Sequence, residues 1–331
     1  IGMGGSILGA EAIHDFFQSK IKKKFHFFNN IDENKITEFK KKENLNKILF
    51  VVVSKSGSTI ETLSNLFTLN ILKKKAKNII IITEKKNNTL FLLAKKFKLF
   101  YVEHKSSIGG RFSVLSEVGM LPAYLMGINI SKFRSKIFNC LEKKNKKFLK
   151  DNSIKLANLL NSKKCNNLIF LNYFPEFKKF LYWGQQLIAE SLGKKNKGFL
   201  PVISIAPKDH HSLLQLYLDG PKDKLFNIFS CDKVSKEKVR INNHFGNNNF
   251  LNNKTLSKIK ISQKLALIKS FTKKNIPFRE LNIGRTKEEV LGELFSYFII
   301  ETIIIGKLLK INPFDQPAVE QVKIYTKKLL K

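Results

Sequence analysis

The chain has 331 residues and a hydrophobic fraction of 43%, which excludes an intrinsically disordered protein and exceeds what one compact core usually supports. Its formal charge of +34 comes almost wholly from lysine, in runs spread along the chain. Lysine, asparagine, isoleucine and phenylalanine are all abundant and share A/T-rich codons. We therefore attribute the charge to base composition, and we expect neither nucleic acid nor a membrane as a partner. A basic field still steers small anions towards the protein.

The cysteines point to a reducing compartment. Cys140, Cys165 and Cys231 lie far apart without metal-ligand spacing, so we expect no disulfide framework, no metal site and a cytoplasmic location. The longest apolar run, residues 294–309, is interrupted by charges and is too short to span a bilayer. The chain opens with "IGMGGS", without methionine and at what reads as the end of a strand. We therefore expect that its natural N-terminal region is missing.

The first part of the chain alternates apolar runs with helical stretches. The runs "KILFVVVS" (Lys47–Ser54), "NIIIIT" (Asn78–Thr83) and "LFYVE" (Leu99–Glu103) are mostly β-branched or aromatic, which predicts strands buried on both faces. The stretches between them have helical periodicity. This βαβ series predicts a doubly wound α/β unit with a parallel sheet.

The same alternation restarts further along the chain. Strands are predicted at 166–172, 198–205, 224–230 and 276–281, with helices between them, including one over "DHHSLLQLYLDG". A long helix over about Thr286–Lys310 and a terminal helix follow, and the Asn-rich stretch 240–254 predicts a loop. We divide the chain into a first α/β domain (1–131), a helical connection (132–164), a second α/β domain (165–310) and a C-terminal arm (311–331).

Two loops have the composition of anion-binding sites. The glycines of "IGMGGSILG" mark a tight turn that opens a helix, where backbone N–H groups bind anions. Ile7 stands where a dinucleotide fingerprint requires glycine, which disfavours a nicotinamide cofactor. The loop Ser54–Thr59, "SKSGST", follows a strand and offers four hydroxyls and a lysine. It predicts a phosphate monoester site, since capping at Thr59 alone needs one hydroxyl.

Three further positions carry groups suited to catalysis. Arg111 follows two glycines, and an arginine there suggests a planar anion or, alternatively, a surface turn. Glu190 lies near the end of an apolar helix, where desolvation would suit a general base; a solvated surface glutamate is the alternative. His210 and His211 are adjacent, and on a helix they would point about a hundred degrees apart, so they cannot serve one site equally.

Together these segments resemble the glucose-6-phosphate isomerase (phosphoglucose isomerase) family over essentially the whole chain. The most specific matches are "GGRFSVLSEVGMLP" and "NPFDQPAVEQVK". "SKSGSTIET" stands where the family has Ser-Lys-Thr-x-x-Thr-x-Glu-Thr, and "QQLIAESLGK" matches the segment with the catalytic glutamate. The resemblance implies two sugar-isomerase (SIS) domains, each a flavodoxin-like parallel sheet flanked by helices, and a C-terminal helical arm. It implies interconversion of glucose 6-phosphate and fructose 6-phosphate, in glycolysis and gluconeogenesis.

The resemblance also implies roles for individual residues. Glu190 would carry a proton between C2 and C1 through a cis-enediol(ate), Arg111 would stabilise the enediolate oxygen, and Lys323 would assist ring opening. His211, in the pattern His-x-x-x-Gln-Leu, would be the ring-opening acid/base in the site of a second subunit, so a homodimer is implied; His210 occupies the position of a usual glutamine. No metal or organic cofactor is implied. The residues implied to contact the substrate are Ser6, Ser54, Lys55, Ser56, Thr59, Gln186 and Gln316.

Two alternatives remain open at this stage. A bifunctional glucose/mannose 6-phosphate isomerase would share the fold, and the positions of Gly57 and Ser58 are where its specificity would be decided. A non-catalytic SIS-fold protein would bind sugar phosphates through the Ser54–Thr59 loop without needing a base, but it would typically have one such domain.

Overall fold

The protein, seen in a computed structural model that describes residues 1–232, 235–241 and 250–330, contains two parallel sheets. The first sheet has the strand order β1-β2-β3 and the second β5-β4-β6-β7. The strands are β1 (Phe50–Val53), β2 (Ile79–Thr83), β3 (Phe100–Glu103), β4 (Asn167–Asn172), β5 (Leu200–Ile205), β6 (Lys224–Ser230) and β7 (Phe278–Asn282).

Helices connect the strands and flank both sheets, which confirms the predicted α/β class. Those of the described residues are α1 (Leu8–Phe17), α2 (Glu33–Lys42), α3 (Ile60–Leu69), α4 (Thr89–Phe97), α5 (Glu117–Leu125), α6 (Ile130–Arg134), α7 (Lys143–Asn161), α8 (Lys178–Leu192), α9 (Leu214–Asp219), α10 (Leu256–Lys273), α11 (Glu288–Leu308) and α12 (Ala318–Leu329). None of these helices is long and apolar enough to cross a membrane.

In the first sheet, β1 and β2 are short, β-branched and largely buried. The prediction of burial on both faces is wrong for the edge strand β3, which has no buried residue and in which Phe100 is 62% exposed. β1 pairs with β2 in parallel, from Phe50 opposite Ile79 to Val53 opposite Ile82, and β2 pairs with β3. The helices α3 and α4 make the two crossovers. The carboxyl ends of β1 and β2 therefore lie side by side, at the edge where ligands bind in such folds.

The second sheet has β4 in its interior, between β5 and β6. The chain leaves β4 through α8 for β5 on one side and then crosses to β6 on the other. Every residue of β6 is buried, as expected for an interior parallel strand. The helix α8, which carries Glu190, is thus anchored to the centre of this sheet.

A helical layer between the sheets joins the two units. The largest hydrophobic core combines Phe16 of α1, Phe133 of α6, Trp183 of α8 and Phe295 of α11. The rings of Trp183 and Phe295 meet edge to face with centroids 4.6 Å apart. The segment that we predicted as a connection therefore also supplies core residues. The domain boundaries at 131, 164 and 310 stay a prediction.

Three local features differ from the sequence-based expectations or lie outside the structure. β1 begins at Phe50, because Leu45–Lys47 forms a 3₁₀ turn. The segment "DHHSLLQLYLDG" is not one helix: Lys208–His211 is a 3₁₀ turn, and α9 begins only at Leu214. Residues 242–249 of the predicted Asn-rich loop lie outside the described residues.

Candidate active site

The predicted glycine turn at the start of the chain links two other segments. The turn is the 3₁₀ helix Gly4–Ser6, and α1 follows it. Gly4 has a φ of +52°, and a Cβ there would lie 2.7 Å from Nε2 of Gln186. A Cβ on Gly5 would lie 2.2 Å from the backbone carbon of Gly110. The turn therefore needs glycine to bring α8 and the segment before Arg111 together; its role in anion binding stays a prediction.

The side chain of Arg111 is the centre of a buried hydrogen-bond network. The residue lies at the start of the 3₁₀ helix Gly110–Leu115, and only 3% of it is exposed. All five of its N–H donors are used. The bonds are Nε to Ser191 Oγ (2.8 Å), Nη1 to Glu190 Oε2 (3.0 Å) and Gln316 Oε1 (2.7 Å), and Nη2 to the carbonyl oxygens of Pro313 (2.6 Å) and Asp315 (2.9 Å).

The electrostatics of Arg111 reflect two opposed effects. Burial lowers the pKa of the guanidinium, and the neighbouring carboxylate of Glu190 opposes that shift. The guanidinium remains charged, since arginine is not deprotonated in proteins. Its backbone is fixed as well, because Trp183 Nε1 donates to the Arg111 carbonyl oxygen at 3.2 Å. The site therefore holds one permanent positive charge in a fixed position.

Glu190 lies in the last turn of α8 with its carboxylate between two donors. Oε1 accepts a hydrogen bond from Gln186 Nε2 at 2.8 Å, and Oε2 accepts one from Arg111. Gln186 reaches Glu190 because residues four apart share one face of a helix. The expectation of an apolar environment is therefore wrong: the side chain leaves the face of Leu187 and Ile188, and 34% of it is exposed. The carboxyl group is held by two donors and is accessible.

The turn that leads into α12 closes the network from the other side. Lys194, just after α8, lies 2.8 Å from Asp315 Oδ1 and also donates to the carbonyl oxygen of Asn312. Hydrogen bonding to Lys194 lowers the pKa of the Asp315 carboxyl. Together with the two carbonyl bonds from Arg111, these contacts fix the turn that carries Gln316.

The loop Ser54–Thr59 lies at the carboxyl end of β1, as predicted. Ser54 Oγ and Thr59 Oγ1 are 2.8 Å apart, and Thr59 stands at the N-cap position of α3 without capping it through its side chain. The simple capping interpretation of Thr59 is therefore wrong. Gly57 has a φ of +64°, and a Cβ there would lie 1.7 Å from Asn88 Oδ1. Lys55 Nζ donates to the Ser106 carbonyl oxygen at 2.8 Å, which ties this loop to the segment before Arg111.

Besides the Ser54–Thr59 loop, three predicted site residues lie apart from the Arg111 network. His211 is exposed on the turn Lys208–His211 after β5, and Lys323 is exposed on α12, with Nζ 2.6 Å from Glu320 Oε1. Within the described residues, neither side chain makes a hydrogen bond or an ion pair with that network. Ser6 lines a cavity of about 380 Å³ that Phe25, Phe28 and Lys47 also line. Their roles stay predictions.

Sequence reasoning missed three acceptors of Arg111: the Ser191 hydroxyl and the carbonyl oxygens of Pro313 and Asp315. The only signal was adjacency, because Ser191 follows Glu190 and Asp315 precedes Gln316. Among residues 1–232, 235–241 and 250–330, no group of three His, Cys, Asp or Glu side chains could hold a metal ion.

Comparison with known proteins matches this architecture to a family. The phosphoglucose isomerase family model matches residues 1–331. The probable glucose-6-phosphate isomerase of Methanococcus maripaludis is 33% identical over 338 residues, covering 98% of this chain and 76% of that protein. The glucose-6-phosphate isomerase of Mycoplasmopsis pulmonis is 33% identical over 353 residues, covering 100% and 82%.

Solved structures show the same fold. A hypothetical protein from Thermus thermophilus superposes with a TM-score of 0.88 at 26% identity, covering 99% of this chain and 82% of that one. A glucose-6-phosphate isomerase from Chlamydia trachomatis superposes with a TM-score of 0.80 at 21% identity, covering 99% and 68%. The two parallel sheets and the family match define an enzyme of the SIS-fold sugar-phosphate isomerase class. The chain belongs to the phosphoglucose isomerase family.

Proposed function

We propose that the chain interconverts glucose 6-phosphate and fructose 6-phosphate at the site of Glu190, Arg111 and Gln316. Membership of the phosphoglucose isomerase family implies an aldose–ketose isomerase that acts on a sugar phosphate. One observation carries the assignment of the site. The Glu190 carboxylate is fixed by Gln186 and Arg111, yet 34% of the side chain is exposed, so a substrate can reach it. A protein that only bound sugar phosphates would not need such a base.

The isomerisation itself is a proton transfer within one molecule. Glu190 removes the proton from C2 of the open-chain aldose, the C–H electrons form the C1–C2 double bond, and the carbonyl electrons move onto O1. After the hydroxyl proton passes from O2 to O1, Glu190 returns its proton to C1, and the carbonyl stands at C2. C1 is reduced and C2 is oxidised, so electrons balance inside the substrate.

Arg111 would have one negative charge beside it throughout this step. When Glu190 accepts the proton, its negative charge disappears at the moment when the enediolate oxygen gains one. The Nη1 atom of Arg111, which lies 3.0 Å from Glu190 Oε2, therefore has an anion beside it before and after the transfer. A fixed cation at developing charge is the arrangement that lowers the barrier most effectively.

The Ser54–Thr59 loop would hold the phosphate. Its hydroxyls stand at the carboxyl end of β1, and the first turn of α3 has no side-chain cap from Thr59. Backbone N–H groups at such a helix start attract a phosphate. The contact between Lys55 and Ser106 connects this loop to the segment before Arg111, so phosphate and reacting carbons would be held by one continuous surface.

A homodimer would complete the site. His211 is exposed and lies outside the Arg111 network, which fits a side chain that acts in the site of a second subunit. The helix α12 has no buried residue, and Val322 and Leu329 on it are 67% and 88% exposed. Exposed apolar side chains on one helix are typical of a surface covered in an oligomer. The wide spacing of Cys140, Cys165 and Cys231 in the sequence supports the proposed cytoplasmic location.

The test uses the full chain with fructose 6-phosphate and a coupled readout of glucose 6-phosphate. Glu190→Gln keeps the shape of the side chain and one of its two oxygen acceptors but removes the base, so kcat should fall about 10²- to 10⁴-fold. Glu33→Gln, on an exposed position of α2, is the matched control and should behave as the wild type. No turnover by the wild type would refute the function, and full turnover by Glu190→Gln would refute the role of the base.

A further inference from the structure

His210 makes a specific contact that its sequence position did not predict. Its Nε2 lies 2.7 Å from the hydroxyl oxygen of Tyr173, and the two rings meet edge to face with centroids 5.6 Å apart. Tyr173 directly follows β4 and is only 2% exposed, within a hydrophobic core of the second unit. The hydroxyl of Tyr173 is therefore a fixed point, and His210 is bound to it.

The direction of this hydrogen bond follows from the ionisation of the two groups. Burial raises the pKa of Tyr173, so its hydroxyl keeps its proton and donates. Burial lowers the pKa of His210, and the neighbouring His211 lowers it further, so the ring is neutral near pH 7. A neutral imidazole that accepts at Nε2 carries its proton on Nδ1. The contact thus needs an acceptor at position 210, not a charge.

The backbone on both sides of His210 is fixed as well. Asp209 Oδ2 accepts hydrogen bonds from the Ile205 amide at 2.7 Å and the Ser204 hydroxyl at 3.0 Å. A 3₁₀ turn has three residues per turn, so neighbouring side chains point about 120° apart. When His210 points inward to Tyr173, the next residue, His211, must point outward. The structure has His211 exposed on this turn.

We propose that the Tyr173–His210 hydrogen bond positions His211 for ring opening. His210 is then a positioning residue, which acts through His211 and does not touch the substrate. The inference rests on the proposed function, since it takes His211 as the ring-opening group. It also explains why either histidine or glutamine suits position 210, because a glutamine there could accept the same hydrogen bond from Tyr173 through Oε1.

The experiment measures kcat and KM for fructose 6-phosphate in a cycle of variants of the full chain. His210→Ala should lower kcat about tenfold or more with little change in KM, because misplacing a catalytic group costs rate rather than substrate affinity. Tyr173→Phe should lower kcat similarly, and His210→Gln should stay within about threefold of the wild type, since the acceptor is restored. In a His211→Ala background, His210→Ala should have no further effect.

The last comparison separates positioning from a structural defect. If His210→Ala costs as much kcat in the His211→Ala background as in the wild type, or costs nothing in the wild type, the proposal is overturned. Lys208→Ala, an exposed position on the same turn, is the control and should leave kcat and the thermal unfolding midpoint unchanged. Normal turnover by His211→Ala beside an inactive Glu190→Gln would overturn the positioning role and leave the isomerase function standing.

Discussion

Replacing Arg111 with lysine should keep the positive charge at the centre of the site but remove part of its hydrogen-bond network. Lysine keeps the positive charge but has three donors on one nitrogen in place of five in a rigid plane. At least two of the five acceptors of Arg111 would therefore lose their hydrogen bond. The most costly to lose are the Ser191 hydroxyl and the Pro313 carbonyl oxygen, because both residues are buried.

The size of the effect follows from these contacts. A hydrogen bond to a charged group contributes about 1.5–3 kcal/mol, so losing two from buried acceptors should lower the free energy of unfolding by about 3 kcal/mol or more. The bond from Nη1 to Glu190 fixes the proposed base. Removing one donor that stabilises developing charge costs about 10²- to 10³-fold in kcat. KM should change far less, since the proposed phosphate contacts are in the Ser54–Thr59 loop.

The assay combines urea unfolding with steady-state kinetics on fructose 6-phosphate. Ser191→Ala is the graded comparison, because it removes a single acceptor, and it should cost about 1–3 kcal/mol. An Arg111→Lys variant with wild-type unfolding free energy would contradict the interpretation of a saturated network. A variant in which only KM rises would contradict a role in stabilising the enediolate.

Two further predictions concern the phosphate loop and acid stability. Gly57→Ala should raise KM for fructose 6-phosphate and lower stability, because its Cβ would overlap Asn88; Gly127→Ala, with φ +85° and open space, should lower stability without changing KM. An unchanged KM in Gly57→Ala would be evidence against a substrate role for the loop. Burial lowers the pKa of His104, so stability should fall as the pH drops below about 6.5, where the unfolded chain binds a proton that the folded chain does not. Urea unfolding at pH 7.5 and 5.5 should show a smaller fall in His104→Asn; an equal fall would assign it to other groups.

The strands β1 and β2 could be predicted because burial on both faces dictates their composition, whereas β3 has a similar apolar sequence although none of its residues is buried. The apolar runs Lys47–Ser54, Asn78–Thr83 and Leu99–Glu103 each contain a strand of the first sheet. Their starting points were less certain, because an apolar run such as "KILF" does not reveal where pairing begins. Pairing begins at Phe50, which lies opposite Ile79, the first residue of β2.

The sequence predicted which segments form the candidate site, but not which of their side chains contact one another. Local composition indicated the Ser54–Thr59 loop, Arg111 and Glu190, since each stands at a turn or a helix end. The pairing of Arg111 with Glu190 and Gln316 spans 79 and 205 positions of sequence, respectively. It depends on how α8 and the turn before α12 pack against the 3₁₀ helix Gly110–Leu115, which no local pattern encodes. The helix predicted over His210 and His211 was wrong for another reason. A 3₁₀ turn and the first turn of an α-helix cannot be told apart from four residues of sequence.

A saturated Arg111 also restricts how an enediolate could be bound. A guanidinium buried to 3% exposure would be costly with free donors, so its partners must exchange rather than be added. In the described part of the chain, Nε is bound to a buried hydroxyl and Nη2 to two backbone carbonyls, while Nη1 alone is bound to two side chains, Glu190 and Gln316. In the proposed mechanism, Glu190 is the one of these two that would lose its charge, on accepting the proton from C2. The bond from Nη1 to Glu190 would therefore weaken as the enediolate forms, and the N–H group of Nη1 would then donate to the developing anion.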